Sequence, residues 1–330
     1  MKRQRIINKY ARLNLIEKLN SLTRMREFGV FISLLCISSL FGLLSKEFLT
    51  LSTWSGILTV ASEVGIISVG VAFLMISGEF DLSVSSIFAV SGMTMVLLSN
   101  SGINPLLAFL IAMLVSACIG AVNAAITLRF SIPSFITTLG MMMFLRGVVL
   151  AISGGFPIEI IASKSQVLYA LAGKVYGDFR FNAIWFLLFI LIFQVVLGLT
   201  PYGSWVYATG NNATFARASG VNIKKVKFIN FILSAVLAGY SGCVALARFG
   251  IVEPMAGSGM ELEAIAASVI GGCSLSGGVG SIVGAGLGAL LVGMVRIGLV
   301  LAGAPPYWYR GFIGVILVAA AIVYRLTRRR

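Results

Sequence analysis

The chain has 330 residues, 58% of them hydrophobic and 11% charged, with a mean hydropathy of +1.01 and a net charge of +14. A soluble domain carries about 25% charged residues, so this composition excludes a soluble globular protein and gives a polytopic membrane protein. The basic excess lies between and beyond apolar runs, which assigns it to topology and lipid headgroups rather than to nucleic acid.

Residues 1–27 mix basic residues with Ile6, Ile7, Tyr10, Leu13, Ile16 and Leu19. They read either as a short amphipathic helix on the inner membrane surface or as a basic tail. No cleavable signal peptide is expected, because the first apolar run begins only near Phe28, after this stretch.

Crossing the hydrocarbon core takes about 20 apolar residues. On that basis residues 28–330 form one transmembrane domain, an all-α polytopic bundle of about ten transmembrane helices. The spans read as 28–45, 54–77, 84–99, 105–128, 133–153, 182–199, 228–248, 262–275, 281–302 and 309–324. The third and eighth are short and lie beside Gly- and Ser-rich breaks, which predicts discontinuous helices. With the N-terminus inside, most basic residues fall on the inner side, including Arg129, Arg217, Lys224, Lys225, Lys227 and Arg325. The outer loops keep Lys46, Lys164, Lys174 and Arg180. Both termini are therefore expected in the cytoplasm. Residues 154–181 form the long outer loop, and 201–227 lie inside.

Glu63 sits in mid-span, Glu79 and Asp81 at the end of that span, and Arg146 in the middle of the fifth. Ionisable groups at membrane depth cost about 2.5–3.5 kcal/mol, so they face protein or water. Glu63, Glu79, Asp81, Ser83, Asn123 and Arg146 are accordingly the candidate substrate path. For the carboxylates three roles stay open: capping a helix start, coordinating a polar substrate, or carrying a proton. Asp81 and Ser83 precede the third span and suit a cap. Arg146 reads most simply as the partner of one of these carboxylates. Lys224, Lys225 and Lys227 read as headgroup anchors of the following span. Asn123 would hydrogen-bond across helices or to a hydroxylated substrate.

Histidine is absent, which removes the usual catalytic bases and the commonest metal ligand. Cys36, Cys118, Cys243 and Cys273 sit in apolar stretches without paired spacing. Neither a metal site nor catalysis is expected. No phosphate-binding glycine loop is present, so an ATP-driven transporter would take its motor from another polypeptide.

Gly280, Gly284 and Gly288 recur every fourth residue beside Ser281, Ala285, Ala289 and Gly293. Two such stripes predict close helix packing. The stretch "GEFDLSVSS" at 78–86 is echoed by "GGCSLSGGVGS" at 271–281, where Gly78, Leu82 and Ser83 match Gly271, Leu275 and Ser276. Paired interruptions of this kind predict an internal duplication around a transport path.

"SGEFDLSVSS" resembles the signature run of the ribose-type permeases of ATP-binding cassette importers. So do "NAAITLRFSIPSFITTLGMMMFLRG" (123–147), "YATGNNATFARASGVNIKKVK" (207–227), the block at 257–295 and "GAPPYWYRGFIGVILVAA". In the second block Ala124 stands where the family has glycine. The resemblance implies a permease subunit for a monosaccharide-like substrate, or for a nucleoside or furanose-like signal. It implies a second permease chain, identical or sister, a cytoplasmic ATPase holding ATP and magnesium, and an extracytoplasmic binding protein. No cofactor is implied on this chain. Branched-chain amino acid permeases, distant relatives, carry a histidine-containing run at 80–83, which this chain lacks. In the resembling cytoplasmic loop, "NNATFARASG" should form a docking helix for the ATPase. Asn211 and Asn212 would start it and Gly220 would stop it. Asn211, Phe215, Ala216, Arg217, Ser219 and Gly220 are the expected contacts. The rival class is an ion-coupled secondary transporter using Glu63, Asp81 and Arg146.

Overall fold

The computed structural model describes residues 28–161, 165–305, 307–315 and 318. The amphipathic reading of 1–27 and the end of the tenth predicted span lie outside the described residues. Helix α1 runs Phe28–Leu44, α2 Leu51–Ile76, α3 Val84–Asn100, α4 Pro105–Phe130 and α5 Ser134–Ser153. A short strand β1 (Ile158–Glu159), helix α6 (Gln166–Ala172) and the strands β2 (Lys174–Tyr176) and β3 (Phe179–Arg180) follow. Then come α7 (Phe181–Leu199), α8 (Pro201–Asn211), α9 (Ala213–Ala218), α10 (Ile223–Phe249), β4 (Ile251–Val252), α11 (Met260–Ile270) and α12 (Ile282–Leu301).

Among the described residues six helices, α2, α4, α5, α7, α10 and α12, are long and apolar enough to cross a membrane. Six of the ten apolar segments read from the sequence fall on these helices in chain order, and the first and third fall on the shorter α1 and α3. Two elements differ from the reading. The eighth segment, read as 262–275, is helical over Met260–Ile270 and ends there, so 271–275 belongs to the following loop; 253–259, before it, is non-helical. The stretch after α7 holds a helix, α8, that its mixed composition hid.

α2 and α10 form the buried centre of the bundle. From Ala61 to Ser77 every residue of the α2 region is buried. Small residues let the neighbours approach. A Cβ on Gly284 of α12 would overlap the Gly271 carbonyl, and one on Gly288 would overlap the carbonyl of Ala267 in α11. A Cβ on Gly280 would sit 2.6 Å from Ile76. The second stripe faces another neighbour: a Cβ on Gly293 would lie 3.0 Å from the Ile57 carbonyl of α2. Two stripes thus let one helix press against two others.

The helices give the bundle two ends. One carries Arg129, Lys224, Lys225 and Lys227 with the 77–83 break, α8, α9 and the 271–281 loop; we call it the basic end. The other carries β1–β4, α6 and the β2–β3 hairpin; we call it the loop end. There β1 pairs antiparallel with β4, Ile158 opposite Val252. Asn100 fixes this pair, its Nδ2 donating to the Glu159 carbonyl (2.8 Å) and its Oδ1 accepting from the Ile161 amide (2.9 Å).

Candidate functional site

At the loop end a cavity of about 780 Å³ opens between α2, α3, α10, α12 and the unwound 253–259. Glu63 reaches it from α2, Arg248 from the last turn of α10, and Arg296 from α12. Glu253, Glu263 and Arg310 complete the charged lining, three carboxylates against three guanidiniums. Phe88, Met255, Tyr307 and Tyr309 supply aromatic and apolar walls.

The central charges are paired. Arg248 Nε lies 2.8 Å from Glu63 Oε1, and its Nη2 donates to Oε2 at 3.1 Å. The second contact is a hydrogen bond and the first an ion-pair approach, and together they hold a guanidinium–carboxylate pair out of water. The Arg248 guanidinium also covers the Phe249 ring at 3.8 Å. Tyr309 faces Glu263, and Arg296 stands 5.4 Å from the Tyr309 ring. Such a lining offers both donors and acceptors, and its formal charges cancel.

Among the described residues Arg146 makes no ion pair with a carboxylate, contrary to the simplest reading of its sequence position. Its Nη1 donates to the carbonyls of Pro254 (2.6 Å) and Ala256 (3.0 Å), and its Nη2 to that of Ser85 (3.2 Å). The physical reason is the unwound segment. Non-helical backbone at membrane depth leaves carbonyls without partners, and each would cost several kcal/mol. One fork of five donors meets two of them and ties them to the first turn of α3 through Ser85. Arg146 therefore stands behind the cavity wall rather than in it.

The other path candidates sit at the basic end, away from this cavity. Glu79 pairs with Lys227, Nζ to Oε1 2.5 Å. Lys227 thus turns inward instead of anchoring at the headgroups, because a half-buried carboxylate needs a counter-charge more than the membrane surface does. Asp81 and Asn123 are fully buried. Asp81 Oδ1 accepts from the Ser83 amide (2.9 Å) and hydroxyl, and Asn123 Nδ2 donates to Ser83 Oγ (2.8 Å). Asp81 caps from two residues before Ser83, the residue that opens α3, whose own side chain makes no cap bond. Two hydroxyls one helical turn apart on α5 hold the remaining amides: Phe80 donates to Ser134 Oγ and Leu82 to Thr138 Oγ1, both 3.1 Å.

In the 211–220 stretch, Asn211 ends α8, and Asn212 alone caps α9, its Oδ1 accepting from the Phe215 amide (3.0 Å). The helix is six residues long, shorter than the stretch read as one helix. Ser219 closes it and Gly220, at φ 85°, follows. Phe215 is 70% exposed, Ala216 is buried, and Arg217 is exposed. A Cβ on Gly210, at the end of α8, would overlap the Ile76 carbonyl and come within 2.6 Å of the Gly278 amide. The exposed helix is thus joined through the end of α8 to the end of α2 and to the 271–281 loop.

Sequence reasoning passed over Arg248, Glu263, Arg296 and the wall 253–259. The signal was present, since Arg248 and Arg296 stand in apolar helices as Arg146 and Glu63 do.

The family model described as "Branched-chain amino acid transport system / permease component" matches residues 53–321. The ribose import permease protein of Escherichia coli (strain K12) is 34% identical over 293 residues, 88% of this chain and 91% of that protein. The autoinducer 2 import system permease protein of Photorhabdus luminescens is 32% identical over 299 residues, 90% of this chain and 89% of that protein. Its counterpart in Yersinia enterocolitica is 30% identical over 304 residues, 90% and 82%. No solved structure matches the chain.

Proposed function

The chain belongs to this permease-component family, and on that premise we propose that it is the transmembrane permease of an ATP-binding cassette importer for a neutral, polyhydroxylated substrate of the monosaccharide type. The cavity carries the substrate class. Its three carboxylates and three guanidiniums cancel, so an anion or a cation gains nothing there, while hydroxyls find both donors and acceptors. Aromatic walls suit the apolar faces of a sugar ring. The relatives named for ribose and autoinducer 2 import support the same class.

The basic end is the cytoplasmic one by its charge. There α9 offers Phe215 and Arg217 to an ATPase subunit that holds ATP and magnesium, and Gly210 passes its movement to α2 and the 271–281 loop. The loop end receives a substrate-binding protein, and a second permease chain completes the path. The test is uptake of labelled ribose by proteoliposomes holding the chain, its ATPase and its binding protein. ATP-dependent uptake that Phe215→Asp with Arg217→Glu abolishes, together with ATPase co-purification, is the expected result. Uptake driven by a pH gradient without ATP would instead make the chain a secondary transporter.

A further inference from the structure

A second groove, of about 450 Å³, lies at the basic end between the last turns of α4 and the first turns of α10. Its rim carries Arg129 from one helix and Lys224 and Lys225 from the other, with no carboxylate in the lining. All three are exposed, and none belongs to an ion pair among the described residues. Lys227, one turn further along α10, behaves differently and is spent on Glu79. Below the rim the floor is apolar: Ala124, Leu128 and Phe228.

Depth follows from helix length. α4 has 26 residues and α10 has 27, so each is about 40 Å long. The hydrocarbon core is about 30 Å thick. Roughly three residues at each end therefore stand in the headgroup layer. Arg129, Lys224 and Lys225 fall in that layer, and Leu128 and Phe228 at the border of the hydrocarbon.

We infer that this groove binds one anionic phospholipid, its phosphate among Arg129, Lys224 and Lys225 and its acyl chain along Leu128 and Phe228. A free phosphate would use the rim and leave the floor wet. An acidic polypeptide from the aqueous side would also reach only the rim. A single amphiphile with an anionic head satisfies both parts. Each cation near an anionic headgroup contributes about fivefold in affinity, and three contribute on the order of a hundredfold.

The experiment uses the full chain in nanodiscs of equal phosphatidylglycerol and phosphatidylcholine, released and weighed by native mass spectrometry. The expected result is one retained phosphatidylglycerol in preference to phosphatidylcholine. Lys224→Gln should lower that preference about fivefold and the triple Arg129→Gln, Lys224→Gln, Lys225→Gln variant should abolish it. Because Lys224 is exposed, the single variant tests the site even where the triple variant does not fold. Arg217→Gln removes the same charge elsewhere at this end and should leave the preference unchanged. Equal retention of both lipids by the unmodified chain overturns the inference, as does an equal loss in Arg217→Gln. Displacement of the lipid by excess inorganic phosphate would assign the rim to a free anion and overturn it too.

Discussion

The two interruptions that echo each other in sequence, 78–86 and 271–281, close with the same pair of turns and are then held by different means. After α2, the Gly78 amide donates to Met75 and that of Glu79 to Leu74; after α11, Gly272 donates to Val269 and Cys273 to Ser268. Both are helix endings with a left-handed glycine, Gly78 at φ 86° and Gly272 at φ 93°. Next, a side-chain oxygen takes the amide two residues on: Asp81 Oδ1 from Ser83 at 2.9 Å, Ser274 Oγ from Ser276 at 3.1 Å. Here the likeness stops. The first break is held by side chains from α4, α5 and α10, including an ion pair. The second approaches its neighbours largely backbone to backbone, the Gly278 amide donating to the Ile76 carbonyl at 2.8 Å, beside the uncharged Tyr207 hydroxyl, which donates to the Gly280 carbonyl at 2.8 Å. A Cβ on Gly277 would lie 3.0 Å from Gly78 Cα, so the two echoing stretches touch. One turn grammar thus serves two ends: where charged side chains follow it, it locks a bend, and where glycines follow it, it lets chains meet.

The largest effect should come from filling the glycine side of this comparison. Gly284→Leu would force a side chain into the Gly271 carbonyl. The expected cost is about 3 kcal/mol, the upper part of the overpacking range. It should appear as lost monodisperse protein after detergent extraction, and an unchanged melt would mean that α11 and α12 do not press together.

On the charged side, Glu79→Gln should cost about 2 kcal/mol, between the values for exposed and buried pairs, since both side chains keep under a fifth of their exposure. Adding Lys227→Gln should restore part of that stability. If the double variant is no better than the single, the pair does not hold the bend.

The same substitution at matching places sharpens the contrast further. Asp81→Ala leaves the amide and hydroxyl of buried Ser83 without their acceptor and should cost about 1–3 kcal/mol. Ser274→Ala removes the acceptor of one amide and should cost about 1 kcal/mol. Thermal melts of the two variants side by side decide it, and a reversed order would undo the comparison.

Asp178, in the loop-end hairpin and far from both breaks, should show the smallest effect. The hydrogen bond and the charge of Lys174 hold its carboxyl below the ordinary range. A depressed folded value means that the contribution exists above the unfolded value of about 3.9 and is lost only as the pH falls through the lower, folded one. Melting of wild type and Asp178→Asn should therefore keep one small, constant separation from about pH 5 upward and converge only as the pH falls through the folded value. A large separation at neutral pH would show that the exposed hairpin bears on the bundle.

Much of this molecule was readable from the chain, and the boundary falls at particular residues. Hydropathy located α2, α4, α5, α7, α10 and α12, because each is a local run that must satisfy its own backbone in lipid. The short third and eighth spans were visible as breaks. The Gly280–Gly284–Gly288 stripe read as a seam, since small residues at helical spacing leave one purpose. The candidate site was less legible. Glu63 was found, but its partner Arg248 lies 185 residues away. Arg146 was found, but its partners are backbone carbonyls, two of them in a stretch between predicted spans more than 100 residues away. Lys227 was found and assigned to the membrane, while its partner Glu79 lies 148 residues away.

Composition and periodicity by themselves determined that the chain lives in a membrane, which segments cross it, where it breaks and which face of α12 is small. These follow from the cost of apolar surface in water and of bare backbone in lipid, which each segment meets alone. Only the tertiary structure decided which charges meet, that Arg146 serves a wall instead of a carboxylate, and that the two echoing breaks touch beside Gly210. A buried charge takes whichever counter-charge or carbonyl packing brings within about 3 Å, and that choice depends on the crossing of helices far apart in the chain.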